Sequence, residues 1–151
     1  MPEARDVARY FISKSEESTS KAVTPLKLQK LVYYAQGWCL ARHRSRLFGE
    51  SLLAWDHGPV VRILYDDYRK HGYYTIPSEP FVNQNEYGNP IFDTHELKVL
   101  NDVWEAYGDF DGKYLEEMTH QEDPWLFTAR NSTIDIDLIR EYFIENLYVV
   151  N

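Results

Sequence analysis

The sequence contains a single cysteine, Cys39, among 151 residues. One thiol cannot form a disulfide within the chain, and it cannot supply a multi-cysteine zinc site. The sequence also has no stretch of about 18 apolar residues, so no membrane-spanning helix is expected. The amino terminus lacks the apolar core of a secretory signal. Together these absences predict a cytoplasmic protein that has no membrane partner.

Basic residues are also scarce. The chain carries 16 Lys and Arg against 24 Asp and Glu, a formal net charge of -8. Such a surface repels the phosphates of nucleic acids, so no direct nucleic-acid partner is expected. The one basic cluster, at residues 42–46, is typical of a helix C-terminus, where cations interact favourably with the helix dipole. The acidic balance suits a basic protein partner that is attracted over long range.

Catalytic motifs are missing as well. The sequence has no Gly-rich phosphate loop, no Gly-x-Ser-x-Gly elbow and no histidine pair at i, i+4 spacing. His120 and Glu122 match the first half of a zinc deaminase signature, but its downstream Pro-Cys-x-x-Cys is absent. His57 beside Asp56 could act in acid–base catalysis, although a solvated turn histidine is the simpler interpretation. We expect no catalytic residue, metal or cofactor; a small hydrolase using His57 or His120 is the least favoured alternative.

What the chain does have is apolar and aromatic material. Hydrophobic residues make up 44% of the sequence, including twelve Tyr, seven Phe and four Trp. This is enough to build a core, and Tyr and Trp also suit interfaces because they carry a polar group on a large apolar ring. The periodicity predicts a mainly α, compact single-domain helical bundle over residues 1–151, with minor short β segments.

The central element of this prediction is a helix that begins at Thr24-Pro25 and runs to about His43. A hydroxyl N-cap followed by proline is a strong helix start. The helix is apolar on nearly all sides, which is typical of a buried central helix. Gly37 costs roughly 1 kcal/mol there relative to alanine, so we expect another backbone to approach it closely.

Other elements follow from the same patterns. We expect Trp38 and Trp104 to face the core, so that alanine at either position would lower the free energy of unfolding by about 3–5 kcal/mol.

Short β structure is expected near 51–55 and within 74–92, with a hairpin around Asn85–Asn89. Further helices are predicted at about 3–15, from Gly58-Pro59 to His71, and at 93–107, 113–119, 123–130 and from 135 onward.

Two stretches are candidates for partner binding. Lys30 and Tyr34 lie on a narrow polar strip of the central helix, which we call the polar seam and expect to meet solvent. Trp55 and His57 precede the Gly58-Pro59 turn, from which side chains project. Aromatic anchors with a few polar groups are typical of interface hot spots, so these residues are predicted to border one recognition surface. Core residues plus helix-start chemistry remain the alternative interpretation.

The motifs together resemble the Panacea domain, the family of GepA-like and SocA-like phage-associated proteins. The resemblance rests on several blocks in a fixed order: TPLKLQKLVYYAQGW (24–38), LFGE (47–50), AW-x-x-GPVV (54–61), the tyrosines at 65 and 68 with the glycine at 72, and the later matches at 115–120, 124–125, 129–130 and 142–143.

The resemblance implies an antitoxin of a toxin–antitoxin pair, which binds and neutralises a cognate toxin protein encoded beside it. It also implies an alternative, an adaptor that delivers the toxin to a protease. The later motifs add His120 and Trp125 to the predicted partner-binding residues. With the seam and turn residues, the predicted set is Lys30, Tyr34, Trp55, His57, His120 and Trp125.

Overall fold

The computed structural model describes residues 1–150, with side chains described through Leu147. The predicted mainly α fold is confirmed. The helices are α1 Ala4–Lys14, α2 Pro25–His43, α3 Arg62–Tyr68, α4 Thr94–Tyr107, α5 Gly112–Thr119, α6 Asp123–Leu126 and α7 Ile136–Val150, with a 3-10 turn at Arg69–His71 after α3. Two short strands, β1 Leu53–Trp55 and β2 Gly58–Val60, pair as an antiparallel hairpin.

Helix α2 lies at the centre of the fold, as the sequence predicts. It begins where the Thr24 hydroxyl accepts a hydrogen bond from the Lys27 backbone N–H at 3.3 Å. It ends at Arg44, which takes a left-handed conformation with φ of 58°. Helices α1, α4, α5 and α7 all pack against it. Because it meets neighbours on every side, nearly all its side chains are buried.

Gly37 allows α7 to approach α2, but the group that fills its space differs from the prediction. A Cβ added at Gly37 would lie 2.3 Å from the ring of Phe143. An aromatic side chain of α7, rather than a second backbone, therefore occupies the space that glycine leaves. This contact accounts for a helix-destabilising residue in the middle of the central helix.

We expect Gly37→Ala to lower the free energy of unfolding by about 1–3 kcal/mol, because the new methyl group must displace the Phe143 ring. Urea denaturation measures the change. Gly49→Ala is the matched control, since a Cβ there meets only the Met1 sulfur at 3.7 Å. A Gly37→Ala variant as stable as the Gly49→Ala control would contradict this account of the α2–α7 contact.

The hairpin replaces a predicted helix start. Gly58-Pro59 was expected to begin a helix, but the pair forms β2, and α3 begins only at Arg62. Gly58 has φ of 102°, which closes a tight turn between Trp55 and Gly58, the last residue pair of the ladder. The pairing of this segment with β1 therefore outweighs the tendency of proline to begin a helix.

Both edges of the hairpin are occupied. Along β1, the Ala54 N–H donates to Ser132 O at 3.0 Å and the Ile134 N–H donates to Leu52 O at 2.8 Å. At the other edge, the Gln29 side chain bonds both backbone groups of Val61. Side chains of α2 thus supply bonds that a neighbouring strand would make, which protects the edge from pairing with another chain.

Two other predicted elements are corrected. No strand forms within 74–92; the Asn85 side chain instead accepts from the backbone N–H groups of Tyr87 and Asn89, both at 2.9 Å. The Asn85 N–H also donates to Asn89 O at 2.8 Å, so backbone and side-chain bonds together close a tight turn that has no flanking strands. Helix α6 stops at Leu126 instead of 130, because the chain must turn back to pair with β1, where the Asn131 N–H donates to Ala54 O at 2.7 Å.

The two tryptophans expected in the core differ in burial. Trp104 is 7% exposed and packs near Phe11, with ring centroids 6.4 Å apart. Trp38 is only half-buried, between Tyr107 and the Arg42 guanidinium. Because Trp38 is less enclosed than Trp104, we expect a smaller loss of stability at Trp38 than the core-sized one predicted from the sequence.

Candidate protein-binding surface

The hairpin packs against helices α5 and α6, and three hydrogen bonds join them. The Trp125 indole N–H donates to Trp55 O at 2.7 Å. The His120 Nε2–H donates to Asp56 O at 2.9 Å. The His57 Nδ1 lies 2.9 Å from the Glu116 carboxylate and donates to it. Four of the predicted residues, Trp55, His57, His120 and Trp125, therefore lie together.

The two tryptophans of this group are held by stacking. The His120 ring lies against one side of Trp125, with centroids 4.1 Å apart. The Arg130 guanidinium lies 3.5 Å from the centroid of the same indole. Trp55 meets Tyr65 edge-on at 5.1 Å. These cation–π and aromatic contacts fix the rings in place before any partner arrives.

Around these rings the molecule exposes large apolar groups. The exposed fractions are 72% for Phe127, 46% for Leu126 and 41% for Tyr65. We call the set of Trp55, His57, Tyr65, His120, Trp125, Leu126 and Phe127 the aromatic surface. Tryptophan, tyrosine and arginine are the residues most enriched in interface hot spots, and here they occur in contact with one another.

Lys30 and Tyr34 do not reach the surface. Both side chains are fully buried, which contradicts the prediction that the polar seam meets solvent. The hairpin and the start of α6 cover the seam. The Lys30 ammonium donates to Pro59 O at 3.0 Å, and the Tyr34 hydroxyl donates to Glu122 Oε2 at 2.9 Å. These two residues support the aromatic surface from beneath and cannot themselves touch a partner of the folded chain.

The Lys30 ammonium is enclosed beneath Gly58. Burial lowers the pKa of Lys30 to about 7, and the nearby Glu116 carboxylate offsets only part of that effect. A Cβ at Gly58 would lie 2.8 Å from Lys30 Cε and 2.7 Å from the Thr119 hydroxyl. The turn that carries His57 therefore rests directly on the lysine side chain.

A stability measurement can detect this buried amine. The folded chain gives up the Lys30 proton near pH 7, whereas the unfolded chain keeps it until about pH 10.5. Stability from this group must therefore rise with pH in that window, by about 1.4 kcal/mol per pH unit at most. We expect the destabilisation caused by Lys30→Met, measured by urea unfolding at pH 7, 8 and 9, to grow over this range. A difference between the two proteins that is constant with pH would contradict the burial of a titrating amine.

The second buried ionisable group is Glu122, the residue before α6. Burial raises its pKa to about 7, although hydrogen bonds from Tyr34 and Tyr33 favour the carboxylate. The Tyr33 hydroxyl donates to Oε1 and the Tyr34 hydroxyl to Oε2, each at 2.9 Å. One side chain thus receives hydrogen bonds from two consecutive residues of the central helix.

Three members of the aromatic surface, Tyr65, Leu126 and Phe127, were not among the predicted binding residues. Leu126 and Phe127 were placed inside a longer helix. The signal that could have found Leu126 and Phe127 is their position after Pro124-Trp125, where two large apolar residues precede a polar stretch. Arg130 belongs to one of the blocks that carry the family resemblance, but its contact with Trp125 was not predicted.

The described residues show no cluster of side chains suited to a metal ion. Among residues 1–150, no group of three or more His, Cys, Asp or Glu side chains is arranged to hold an ion. His57 is oriented by Glu116, but its side chain is 77% exposed. Within the same described part of the chain, no helix is long and apolar enough to cross a membrane.

Comparison with known proteins identifies the family. The family described as antitoxin SocA-like, Panacea domain, matches residues 28–126. This confirms the resemblance found from the motifs. Neither a curated protein nor a solved structure matches the chain. The matched segment includes every member of the aromatic surface except Phe127, which follows it directly.

Proposed function

Since the chain belongs to the family of SocA-like antitoxins with a Panacea domain, we propose that it neutralises a cognate toxin protein by direct stoichiometric contact through the aromatic surface. The observation that carries the proposal is the cluster of pre-oriented aromatic side chains on the hairpin and α6, at the end of the family segment. Phe127 and Tyr65 are exposed beside rings that stacking already holds in place.

Pre-orientation supports a binding role. Trp125 is held between His120 and Arg130, and its N–H is already bonded. A partner therefore meets rings that lose little conformational freedom on binding. The exposed Phe127 and Leu126 then supply apolar area that is free to be covered. Rigid rings beside exposed apolar groups are what a tight protein interface uses.

Charge supports a basic toxin as the partner. The net charge of the chain is -8, and the exposed residues near the aromatic surface include the acidic Asp56, Asp66 and Glu117 as well as Arg62 and Arg69. An acidic exterior attracts a basic protein over long range and mainly raises the association rate. The chain would meet and bind its toxin in the cytoplasm.

The proposal treats the whole chain, 1–151, as one antitoxin domain. Helices α1 and α7 lie outside the matched segment, yet both pack on α2. Phe143 of α7 fills the space at Gly37 and lies 5.5 Å from the Tyr33 ring, centroid to centroid. Removing either flanking helix would therefore expose the core that carries the aromatic surface.

The test is co-expression with the product of the adjacent reading frame in a host that this product kills. The proposal predicts rescue of growth and co-purification of the two proteins. A Trp55→Ala, Phe127→Ala double variant should lose both effects while circular dichroism stays native. Rescue that disappears in a protease-deficient host would favour proteolytic delivery instead. Rescue without any complex would contradict direct contact.

A further inference from the structure

Glu122 lies between the core and the aromatic surface. It immediately precedes α6, and its side chain is 7% exposed. Its two carboxyl oxygens accept hydrogen bonds from the hydroxyls of Tyr33 and Tyr34. Three residues later, the Trp125 N–H bonds to the hairpin. The buried Glu122 side chain thus connects the central helix to the start of α6, and Trp125 of α6 is bonded to the hairpin.

We propose that Glu122 is the positioning residue of the aromatic surface: its carboxyl group, bound by Tyr33 and Tyr34, holds the start of α6 so that Trp125 stays seated on the hairpin. The inference rests on the proposed function in one respect only, namely that the aromatic surface binds the toxin. The positioning itself is a property of the isolated chain, so it can be tested without a partner.

The shortness of α6 makes such a tether necessary. The helix has only four residues, Asp123–Leu126, too few to be stable by its own backbone bonds. Its position must come from tertiary contacts, and Pro124 is its buried residue. The Glu122 carboxyl group, which takes hydrogen bonds from two side chains of α2, provides such a contact.

The surroundings of Glu122 make this attachment respond to pH. Tyrosines from three helices face it, Tyr33 and Tyr34 of α2, Tyr107 of α4 and Tyr142 of α7, and Asp123 follows it in the chain. Burial raises the pKa of each of these tyrosines, so they stay neutral, while the pKa of Glu122 is about 7. Since burial raises the pKa of Glu122, the closed site holds the neutral carboxyl more favourably than the charged one, and loss of the proton above about pH 7 loosens the start of α6.

The experiment follows the Trp125 indole N–H by NMR hydrogen exchange in the purified full chain, with Trp125→Phe to assign the resonance. The measured quantity is the protection factor, which removes the intrinsic pH dependence of exchange. We expect protection to be about tenfold higher at pH 6 than at pH 8, because the carboxyl has a pKa of about 7 in the closed state and returns toward its ordinary pKa of 4.5 when the start of α6 opens. In Glu122→Gln the profile should be flat, because an amide does not titrate in this range.

Tyr33→Phe and Tyr34→Phe keep each ring and remove one hydroxyl, so they test the tether even where Glu122→Gln folds poorly. Each should lower protection at pH 8 by about fivefold. Glu117→Gln, an exposed glutamate of α5, is the matched control and should behave like the parent. A fall of protection from pH 6 to pH 8 retained in Glu122→Gln, or protection unchanged in both phenylalanine variants, overturns the inference. Failure of toxin binding with these exchange results intact would overturn the proposed function alone.

Discussion

Trp104→Ala should lower the free energy of unfolding by about 3–5 kcal/mol, as truncation of a core aromatic does. The ring is nearly fully buried, packs near Phe11 and lies under the Lys27 ammonium, 5.6 Å from its centroid. That ammonium also donates to Gly108 O at 2.6 Å, directly after α4. Removing the indole leaves a cavity and uncovers a buried cation, so urea denaturation should show a large loss of stability.

Trp38→Ala is the matched comparison for this prediction. Its ring is half-buried, so we expect a loss of only about 1–2 kcal/mol, in proportion to the apolar area that is removed from water. Equal losses at the two positions would mean that Trp38 is as enclosed as Trp104. The order of the two effects is thus a direct check on which of the two rings is more deeply enclosed.

Trp55→Ala should weaken binding of the cognate toxin by about 30-fold or more, since a central aromatic anchor contributes about 2 kcal/mol or more to an interface. The loss should appear mainly as faster dissociation, measured by surface plasmon resonance. Added salt should instead slow association, because it screens the attraction between the acidic exterior and a basic toxin.

Tyr87→Ala is the control for the interface prediction. Tyr87 is 80% exposed, more than any residue of the aromatic surface, but it lies in the irregular segment before α4. Its removal should leave dissociation unchanged. If Tyr87→Ala weakened binding as strongly as Trp55→Ala, the interface would not be confined to the hairpin and α6.

The central helix was predictable because its signals are local. A threonine N-cap with proline next to it sets the start, and an apolar pattern around the whole circumference indicates burial. The same holds for α4, whose capping box joins Asp93 and Glu96 through reciprocal hydrogen bonds of 2.8 and 2.9 Å. Helices with such local signals can be predicted without knowing which distant residues they contact.

The polar seam shows where such reasoning fails. Lysine and tyrosine on one strip of a helix usually indicate solvent, but here their polar atoms find partners inside the protein. Lys30 bonds a backbone carbonyl of the hairpin, and Tyr34 bonds a carboxylate 88 positions away. Burial of these groups depends on contacts from distant parts of the chain, which helical periodicity does not encode.

The aromatic surface was predictable only in part for the same reason. Trp55, His57, His120 and Trp125 were identified from motifs, and the hydrogen bonds of the hairpin bring them together. Phe127 and Arg130 depend on where α6 ends. That end is set by the pairing of residues 131–134 with β1, a long-range contact.

The most direct test of the central claim is a titration of toxin activity with the purified chain, in the absence of any protease. Direct stoichiometric contact predicts that activity falls linearly and reaches zero at one equivalent, and that the Trp55→Ala, Phe127→Ala variant needs a large excess. Complete protection far below one equivalent would contradict the account and favour an enzymatic antitoxin. Unchanged toxin activity in the presence of excess chain, with the two proteins bound, would contradict it as well.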